Sequence, residues 1–283
     1  MEQAQHIPIL HAIVLGVTQG LSEFLPISSS GHLLLVPWLF NWTEFTRNPD
    51  LNKSFDVALH VGTFVGAAAY FRKDLLMLGR AGLSSIRHRA VRTAEERLAW
   101  LLLLSAVPGA LVGAVLENVI QDNLGEIWLI AVMLIVFGGV LLVADRATGT
   151  RTIDDFRPRD ALIMGLCQAG ALQPGVSRSG VTMSAGRWLG LDRDAAARIS
   201  FLMSLPIIGG AALYTGVELM ADGGPPPGTG GAFIWGMLAS GITGSLAVWL
   251  VLRVVRTRSF APFVVYRVAV GLAVLGLLAT GLR

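Results

Sequence analysis

Six apolar segments constrain the fold more than any other feature of the chain. They span roughly residues 55–71, 98–116, 127–144, 198–219, 231–252 and 262–282. A helix needs about 20 apolar residues to cross the hydrocarbon core of a bilayer, and each segment reaches or nearly reaches that length. Only 14% of the residues are charged, whereas a soluble domain carries about 25%. We therefore predict an all-α polytopic membrane protein with about six transmembrane helices, and we exclude a very apolar soluble protein.

Two further apolar regions, about 7–41 and 160–190, are each interrupted by a polar break. The first break covers residues 19–32 and the second covers residues 174–182. In the first, Pro26 ends a helix, and Ser29 or Ser30 is expected to cap the next one. Because non-helical backbone at membrane depth must be buried in protein or line a wet cavity, each region predicts a re-entrant helix-loop-helix pair.

The charged loops predict the orientation. Lysine and arginine are concentrated in the loops at 72–97, 145–160 and 253–258, whereas the loops at 117–126 and 220–230 contain acidic residues and neither basic type. The positive-inside rule places the first set in the cytoplasm. The net charge of +3 fits this bias better than nucleic-acid binding. The single cysteine, Cys167, excludes an intramolecular disulfide and a multi-cysteine metal site.

The two breaks belong to an internal repeat. When the chain is shifted by 149 positions, five identities align: Gly16 with Gly165, Gln19 with Gln168, Ser28 with Ser177, Ser30 with Ser179, and Gly31 with Gly180. We predict two homologous halves, 1–150 and 151–283, within one membrane domain. The loop charges give these halves opposite topology, and inverted repeats with broken helices are typical of transporters. The two breaks should then meet in one composite site.

The residues of the two breaks suit anionic chemistry. Arg178, flanked by hydroxyls, fits an oxyanion such as phosphate; the alternatives are an ion pair with an internal carboxylate, or snorkelling to the interface. Glu23 and Gln19, four apart on one helix face, could hold Mg²⁺ or Ca²⁺, or Glu23 could simply neutralise Arg178. His32 is a candidate acid, base or nucleophile, or a histidine satisfied by one hydrogen bond.

The remaining polar residues leave several alternatives open. The serines of the first break are candidate nucleophiles or phosphate donors, with helix capping as the structural alternative for each: Ser28, Ser29 and Ser30. Asp56 and His60, four apart in the 55–71 span, could form a metal pair, although an internal hydrogen bond is the favoured interpretation.

At these residues the chain resembles the undecaprenyl-pyrophosphate phosphatase family, also called bacitracin-resistance proteins. One family motif matches 19–32, beginning Gln19-Gly-Leu-Ser-Glu23, and a second, Pro-Gly-x-Ser-Arg-Ser-x-x-Thr, matches 174–182. A common family variant has glutamate at the position of Gln19. The resemblance implies hydrolysis of a C55 isoprenyl pyrophosphate to the monophosphate carrier lipid used in cell-wall synthesis. It also implies a divalent cation, an active site open to the outer side of the bacterial inner membrane, and competition with bacitracin for the substrate.

On this basis we assign provisional roles. Ser29 attacks the terminal phosphorus or orients the attacking water, and Glu23 and His32 handle protons; a phosphohistidine at His32 is the competing version. The predicted phosphate-binding set contains Arg178 and a group of hydroxyls: Ser28, Ser30, Ser177, Ser179 and Thr182. The predicted partners are membrane lipids and the polyprenyl pyrophosphate, with a homodimer left open. The alternative function is a flippase or transporter of the polyprenyl phosphate carrier.

Overall fold

The computed structural model describes residues 7–44, 49–123, 125–221, 224–225 and 227–282. Eleven α-helices lie within this part of the chain: α1 Ile9–Phe24, α2 Ser29–Phe40, α3 Pro49–Tyr70, α4 Arg72–His88, α5 Ala94–Asn123, α6 Ile127–Asp145, α7 Pro158–Gly170, α8 Arg178–Trp188, α9 Arg193–Ala221, α10 Gly230–Val255 and α11 Ala261–Ala279. The described residues contain no strand beyond one isolated bridge between Arg151 and Leu191. The all-α prediction is confirmed.

The predicted spans coincide with the long helices. Five helices are long and apolar enough to cross a bilayer, in α5, α6, α9, α10 and α11. The predicted 55–71 span lies in α3, which turns by 83° into α4; counting this bent pair as one span gives six. The polytopic membrane architecture is therefore confirmed. Residues 222–223 and 226 of the predicted outer loop at 220–230 lie outside the described residues.

The two broken regions form pairs of helices, and each helix by itself is too short to cross a bilayer. The first pair, α1 and α2, has 16 and 12 residues, and the second pair, α7 and α8, has 13 and 11 residues. A helix rises about 1.5 Å per residue, so none of them covers the roughly 30 Å hydrocarbon core alone. In each region the polar break therefore joins two short helices.

Close helix contacts place the first pair against α10. A Cβ atom added at Gly20 would lie 2.5 Å from the carbonyl oxygen of Ser240, and Gly16, four residues earlier, faces the carbonyl of Gly236. Small residues spaced by four allow two backbones to approach closely in a membrane. The α7 helix makes the matching contact with α5, because a Cβ at Gly165 would lie 2.5 Å from the carbonyl oxygen of Ser105.

Each re-entrant pair thus packs on a span from the other predicted half. The first pair, before residue 150, contacts α10, and the second pair contacts α5. The two pairs also contact each other, through α1 and α8. The division of the chain at residue 150 stays a prediction.

Candidate active site

The first break begins at a proline. Leu25 precedes Pro26 and has extended backbone angles, φ −62° and ψ 137°, so α1 ends at Phe24. A residue before proline avoids the helical region because the proline ring clashes with its backbone. Ser28 then takes φ +79°, a value that L-residues rarely adopt, and α2 begins at Ser29.

The second break repeats this turn. Ser177 has φ +74° and α8 begins at Arg178. In both breaks the serine hydroxyl accepts from a backbone N–H three residues on, at 3.4 Å for Ser28 and 3.2 Å for Ser177. The expectation that Ser29 or Ser30 caps α2 is therefore wrong: Ser28 is the cap, because its hydroxyl reaches the third N–H of the helix. Unusual backbone angles of this kind cost about 1–3 kcal/mol each and concentrate at functional sites.

Hydrogen bonds join the two breaks directly. The backbone N–H of Gly175 donates to Ser28 Oγ at 3.0 Å, and the Ser179 hydroxyl donates to the carbonyl of Leu25 at 3.1 Å. The N-terminal ends of α2 and α8 consequently lie side by side. Helix N-termini expose unpaired N–H groups and favour anions, so this junction suits a phosphate.

Glu23 lies at the centre of the junction. Its carboxylate accepts from the Ser29 hydroxyl at 2.6 Å and from the Gln19 side-chain amide at 3.1 Å, and it forms an ion pair with the Arg178 guanidinium. The side chain of Glu23 is 2% exposed, whereas that of Arg178 is 21% exposed. The alternative in which Glu23 pairs with Arg178 is thus realised. The structure brings Gln19, Glu23, Ser29 and Arg178 together.

His60 is a further neighbour of Glu23 that the sequence reasoning did not include in the site. Its Nε2 lies 3.8 Å from Glu23 Oε2. Its Nδ1 donates to the carbonyl oxygen of Asp56 at 2.8 Å, which is the internal hydrogen bond favoured from their spacing, although the acceptor is backbone. The available signal was that ionisable residues within membrane spans tend to be functional.

His32 lies on α2 but bonds away from Glu23. Its Nδ1 contacts the carbonyl oxygen of Ser28 at 2.7 Å and its Nε2 contacts the Tyr266 hydroxyl at 2.9 Å. The imidazole and phenol rings stack with centroids 5.5 Å apart. Since a carbonyl only accepts, Nδ1 carries a proton, and in the neutral ring Nε2 accepts from Tyr266. Tyr266 was not identified from the sequence.

The predicted phosphate-binding hydroxyls also have structural partners. Ser177 and Ser179 face each other at 3.3 Å between their Oγ atoms. Thr182 donates to the carbonyl of Arg178 at 2.8 Å and lies 2.6 Å from Ser200 Oγ. Ser30, on the first turn of α2, is half-buried. Their contact with a phosphate stays a prediction.

The residues around Glu23 fit a divalent cation bound together with a phosphate. Gln19 is fully buried, and its Oε1 has no hydrogen-bond partner among the described residues. The same part of the chain contains no group of three or more His, Cys, Asp or Glu residues arranged for a metal. Glu23 and Gln19 would therefore supply two ligating side chains, with two or three oxygen atoms between them. Magnesium is commonly held by one or two protein oxygens, with water and substrate phosphates completing its shell.

Arg267 is the third residue, after His60 and Tyr266, that sequence reasoning missed. It lies on α11, next to Tyr266, and is 0% exposed. Its guanidinium donates to backbone carbonyls of both breaks, including Pro26 at 3.1 Å and Gly175 at 2.8 Å. An arginine within the 262–282 span was a visible signal, since such residues are rare at membrane depth.

The chain is similar to known proteins over nearly its whole length. The family model described as "Bacitracin resistance protein BacA" matches residues 12–273. The chain is 45% identical over 276 residues to a protein of Pelobacter propionicus named undecaprenyl-diphosphatase, covering 97% of this chain and 98% of the relative. It is 44% identical over 282 residues to a protein of the same name from Nocardioides sp., covering 97% and 98%. The chain therefore belongs to the bacitracin resistance protein BacA family.

Proposed function

We propose that the chain is an integral-membrane undecaprenyl-diphosphatase, which hydrolyses undecaprenyl pyrophosphate to undecaprenyl phosphate and inorganic phosphate. The observation that carries this proposal is the Glu23 carboxylate, which holds the Ser29 hydroxyl at 2.6 Å and the Arg178 guanidinium at once. The proposed nucleophile, its proposed base and the proposed phosphate-binding guanidinium therefore meet at one partly buried point. The names of the relatives support the substrate.

In the first step, Ser29 Oγ attacks the terminal phosphorus of the pyrophosphate. The hydroxyl proton passes to Glu23 as the new P–O bond forms. The bond from the terminal phosphorus to the bridging oxygen breaks, and its electron pair leaves on undecaprenyl phosphate. Arg178 exchanges the carboxylate for the phosphoryl oxygens, where it stabilises the transition-state charge with the N–H groups of the two helix N-termini.

In the second step, water attacks the phosphorus of the phosphoserine. The P–Oγ bond breaks and Glu23 returns its proton to Ser29 Oγ. The oxygen and both protons of the water leave with inorganic phosphate. In the version without a phosphoserine, Ser29 instead orients the water that attacks the pyrophosphate, and Glu23 takes the proton from that water.

The hydrogen bonds of His32 support Ser29 over His32 as the nucleophile. Both ring nitrogens of His32 are engaged, by the Ser28 carbonyl and by the Tyr266 hydroxyl. Ser29 has its hydroxyl on a carboxylate, which is the arrangement that activates a nucleophile. We propose that His32 fixes the first turn of α2 and takes part in proton transfer through Tyr266.

A divalent cation, Mg²⁺ or Ca²⁺, would be held by Glu23 and Gln19 and would supply positive charge that neutralises the pyrophosphate. The protein's own part is to keep the Gln19 oxygen buried without a competing donor and to present the carboxylate beside it. The remaining positive charge comes from Arg178 and the helix N-termini.

The apolar spans and the loop charges support a proposal for the membrane setting. We propose that the protein lies in the bacterial inner membrane, with the arginine-rich loops in the cytoplasm and the active site open to the outer side. The C55 tail of the substrate stays in lipid between the helices. The reaction recycles the carrier lipid for peptidoglycan synthesis, and bacitracin, by competing for the pyrophosphate, would be opposed by this activity.

The test is phosphate release by the purified protein from C55 and C15 prenyl pyrophosphates. We expect release with Mg²⁺ or Ca²⁺ and its loss in EDTA. Ser29→Ala and Arg178→Ala should each lower kcat by at least about 100-fold, the usual scale for losing such groups. Activity retained in Arg178→Ala would contradict a composite site.

Trapping the phosphoenzyme separates the versions of the mechanism. Acid quenching after brief exposure to substrate labelled in the terminal phosphate should leave the label on Ser29; label on His32 would show the phosphohistidine route. If the wild type releases no phosphate but moves polyprenyl phosphate across the membrane of proteoliposomes, the flippase alternative would be favoured.

A further inference from the structure

The guanidinium of Arg267 donates hydrogen bonds to both breaks. Its Nη1 donates to the Pro26 carbonyl at 3.1 Å, and its Nη2 donates to the carbonyls of Gly175 at 2.8 Å and Val176 at 3.0 Å. The first acceptor belongs to the first break and the other two belong to the second. One side chain therefore ties the two polar turns to each other.

The same guanidinium is also fixed to α6. Its Nε donates to the carbonyl of Leu134 at 3.1 Å, and its Nη2 lies 3.3 Å from the carbonyl of Met133. Among the described residues, no carboxylate lies within ion-pair distance of Arg267. A fully buried cation is costly unless its donors are satisfied, and here backbone carbonyls alone satisfy them.

The acceptors lie immediately before the reacting residues. Pro26 is three residues before Ser29, and Val176 is two residues before Arg178. Ser28 lies between Pro26 and Ser29, and Ser177 lies between Val176 and Arg178; both serines have a positive φ. A movement of the carbonyl that Arg267 binds should therefore shift the residue that follows the serine. The distance between the predicted nucleophile and the phosphate-binding arginine is set by how these turns are held.

We infer that Arg267 is a positioning residue for phosphoryl transfer. It holds Ser29 and Arg178 at reacting distance, and its uncompensated positive charge lies close to the phosphate site. The inference rests on the proposed function. No other side chain offers five donors in a planar fork, so lysine, with one compact ammonium group, cannot bind both breaks and α6 together.

The expected effect is on kcat rather than KM. Misplacing reacting groups by about 1 Å costs on the order of 100-fold in rate. Arg267→Lys keeps the charge near the phosphate but loses the fork, so we expect kcat to fall about 100-fold while KM changes less than about threefold, because what is lost is the alignment of the reacting groups in the transition state. Uniform loss of substrate binding would instead raise KM with kcat unchanged.

Arg187 provides the matched control. It is also buried, 4% exposed, and its guanidinium donates to the backbone carbonyls of Leu191 and Ala147 at the other end of α8. Arg187→Lys therefore removes a similar carbonyl-binding fork away from the breaks. We expect it to lower the melting temperature as Arg267→Lys does, with kcat within about threefold of wild type because the reacting groups do not move.

The experiment measures kcat, KM and melting temperature for wild type, Arg267→Lys and Arg187→Lys, on monodisperse protein with a C15 pyrophosphate. Absence of activity in wild type would refute the proposed function itself. With wild type active, the inference about Arg267 is overturned by a kcat within threefold of wild type, by a change confined to KM, or by an equal loss of kcat in Arg187→Lys.

A second variant covers the case in which Arg267→Lys does not fold. A Cβ atom added at Gly180 would lie 3.1 Å from Arg267 Nη1 and 3.2 Å from Ser177 Cβ. Gly180→Ala should therefore displace the guanidinium by a few tenths of an ångström and lower kcat by about tenfold, a fraction of the 1 Å effect. Unchanged kcat in folded Gly180→Ala would overturn the inference.

Discussion

Replacing Glu23 by glutamine tests whether this carboxylate occupies Arg178, the proposed phosphate-binding residue, until a phosphate displaces it. In the absence of substrate, Glu23 accepts from Ser29 at 2.6 Å and pairs with Arg178 in a nearly buried position. Removing one partner of a buried ion pair leaves the other charge uncompensated, at a cost of about 3–5 kcal/mol. At roughly 2–4 °C per kcal/mol for a chain of this size, the melting temperature should fall by roughly 6–20 °C.

Catalysis and anion binding should then move in opposite directions. Without a base for Ser29, kcat should fall by about 10²–10⁴-fold. An inorganic phosphate no longer has to displace Glu23 from Arg178, so in EDTA the variant should bind phosphate more tightly than wild type. Relief of about 1.4 kcal/mol corresponds to a tenfold lower Kd. Phosphate should accordingly raise the melting temperature of Glu23→Gln more than that of wild type.

The assay combines thermal unfolding with phosphate titration, in EDTA and again in Mg²⁺. Asp160→Asn is the matched control, because Asp160 is a buried carboxylate that pairs with Arg151 at the N-terminal end of α7, whereas the second break follows the C-terminal end of that helix. It should lower the melting temperature and leave phosphate affinity and kcat within about twofold. Phosphate binding in EDTA that is equal or weaker in Glu23→Gln would refute the reasoning. A gain in EDTA that reverses in Mg²⁺ would show that Glu23 also holds the cation.

Three smaller changes test the scaffold. Tyr266→Phe removes one hydrogen bond to His32, worth about 1 kcal/mol, so the melting temperature should fall by only roughly 2–4 °C, and steady-state assays should show kcat lowered by up to about tenfold. Ser28→Ala removes the acceptor of two backbone N–H groups; scanning calorimetry should show a loss of about 1–2 kcal/mol of stability. Gly66→Leu should clash with the α10 backbone and abolish monodisperse protein, whereas Gly139→Leu, with no atom within 4 Å of an added Cβ, should be tolerated.

Much of the architecture was predictable, because a helix that crosses a bilayer needs about 20 apolar residues and must satisfy its backbone hydrogen bonds internally. The six apolar segments coincide with helices of the structure to within three residues at their ends, and the two interrupted regions form the short helix pairs. The junction of the breaks was also predictable, because a repeat with opposite topology brings equivalent elements together. The cap was misplaced by one residue, since serines at 28, 29 and 30 offer the same donor and acceptor, and only the backbone angle at Ser28 distinguishes them.

The partners of Arg267 were beyond prediction for a physical reason. Its acceptors are backbone carbonyls, which every residue possesses, so no residue type marks them. They lie 241 positions away at Pro26 and 92 positions away at Gly175. Tyr266 is similar, because its partner His32 lies 234 positions away on a different helix. Sequence patterns identify side chains that carry chemistry, whereas the groups that hold those side chains in place are determined by tertiary packing.

The repeat separates these two kinds of residue within the breaks. The aligned identities Ser28 with Ser177 and Gly31 with Gly180 form the same capped, strained turn in both places, so they build the scaffold. At the first helical position the two breaks differ, with Ser29 in one and Arg178 in the other, and these are the two side chains that meet on Glu23.

Gln19 and Gln168 occupy equivalent positions in the repeat but differ in their neighbours. Both are buried with an Oε1 that has no hydrogen-bond partner among the described residues, as expected for equivalent positions. Four residues further on, the first break has Glu23 and the second has Leu172. The first glutamine therefore has a carboxylate beside it that could complete a cation site, while the second donates weakly to the carbonyl of Ser105 at 3.5 Å. Because only the first break has a carboxylate at this position, we expect the two breaks to form one cation and phosphate site rather than two.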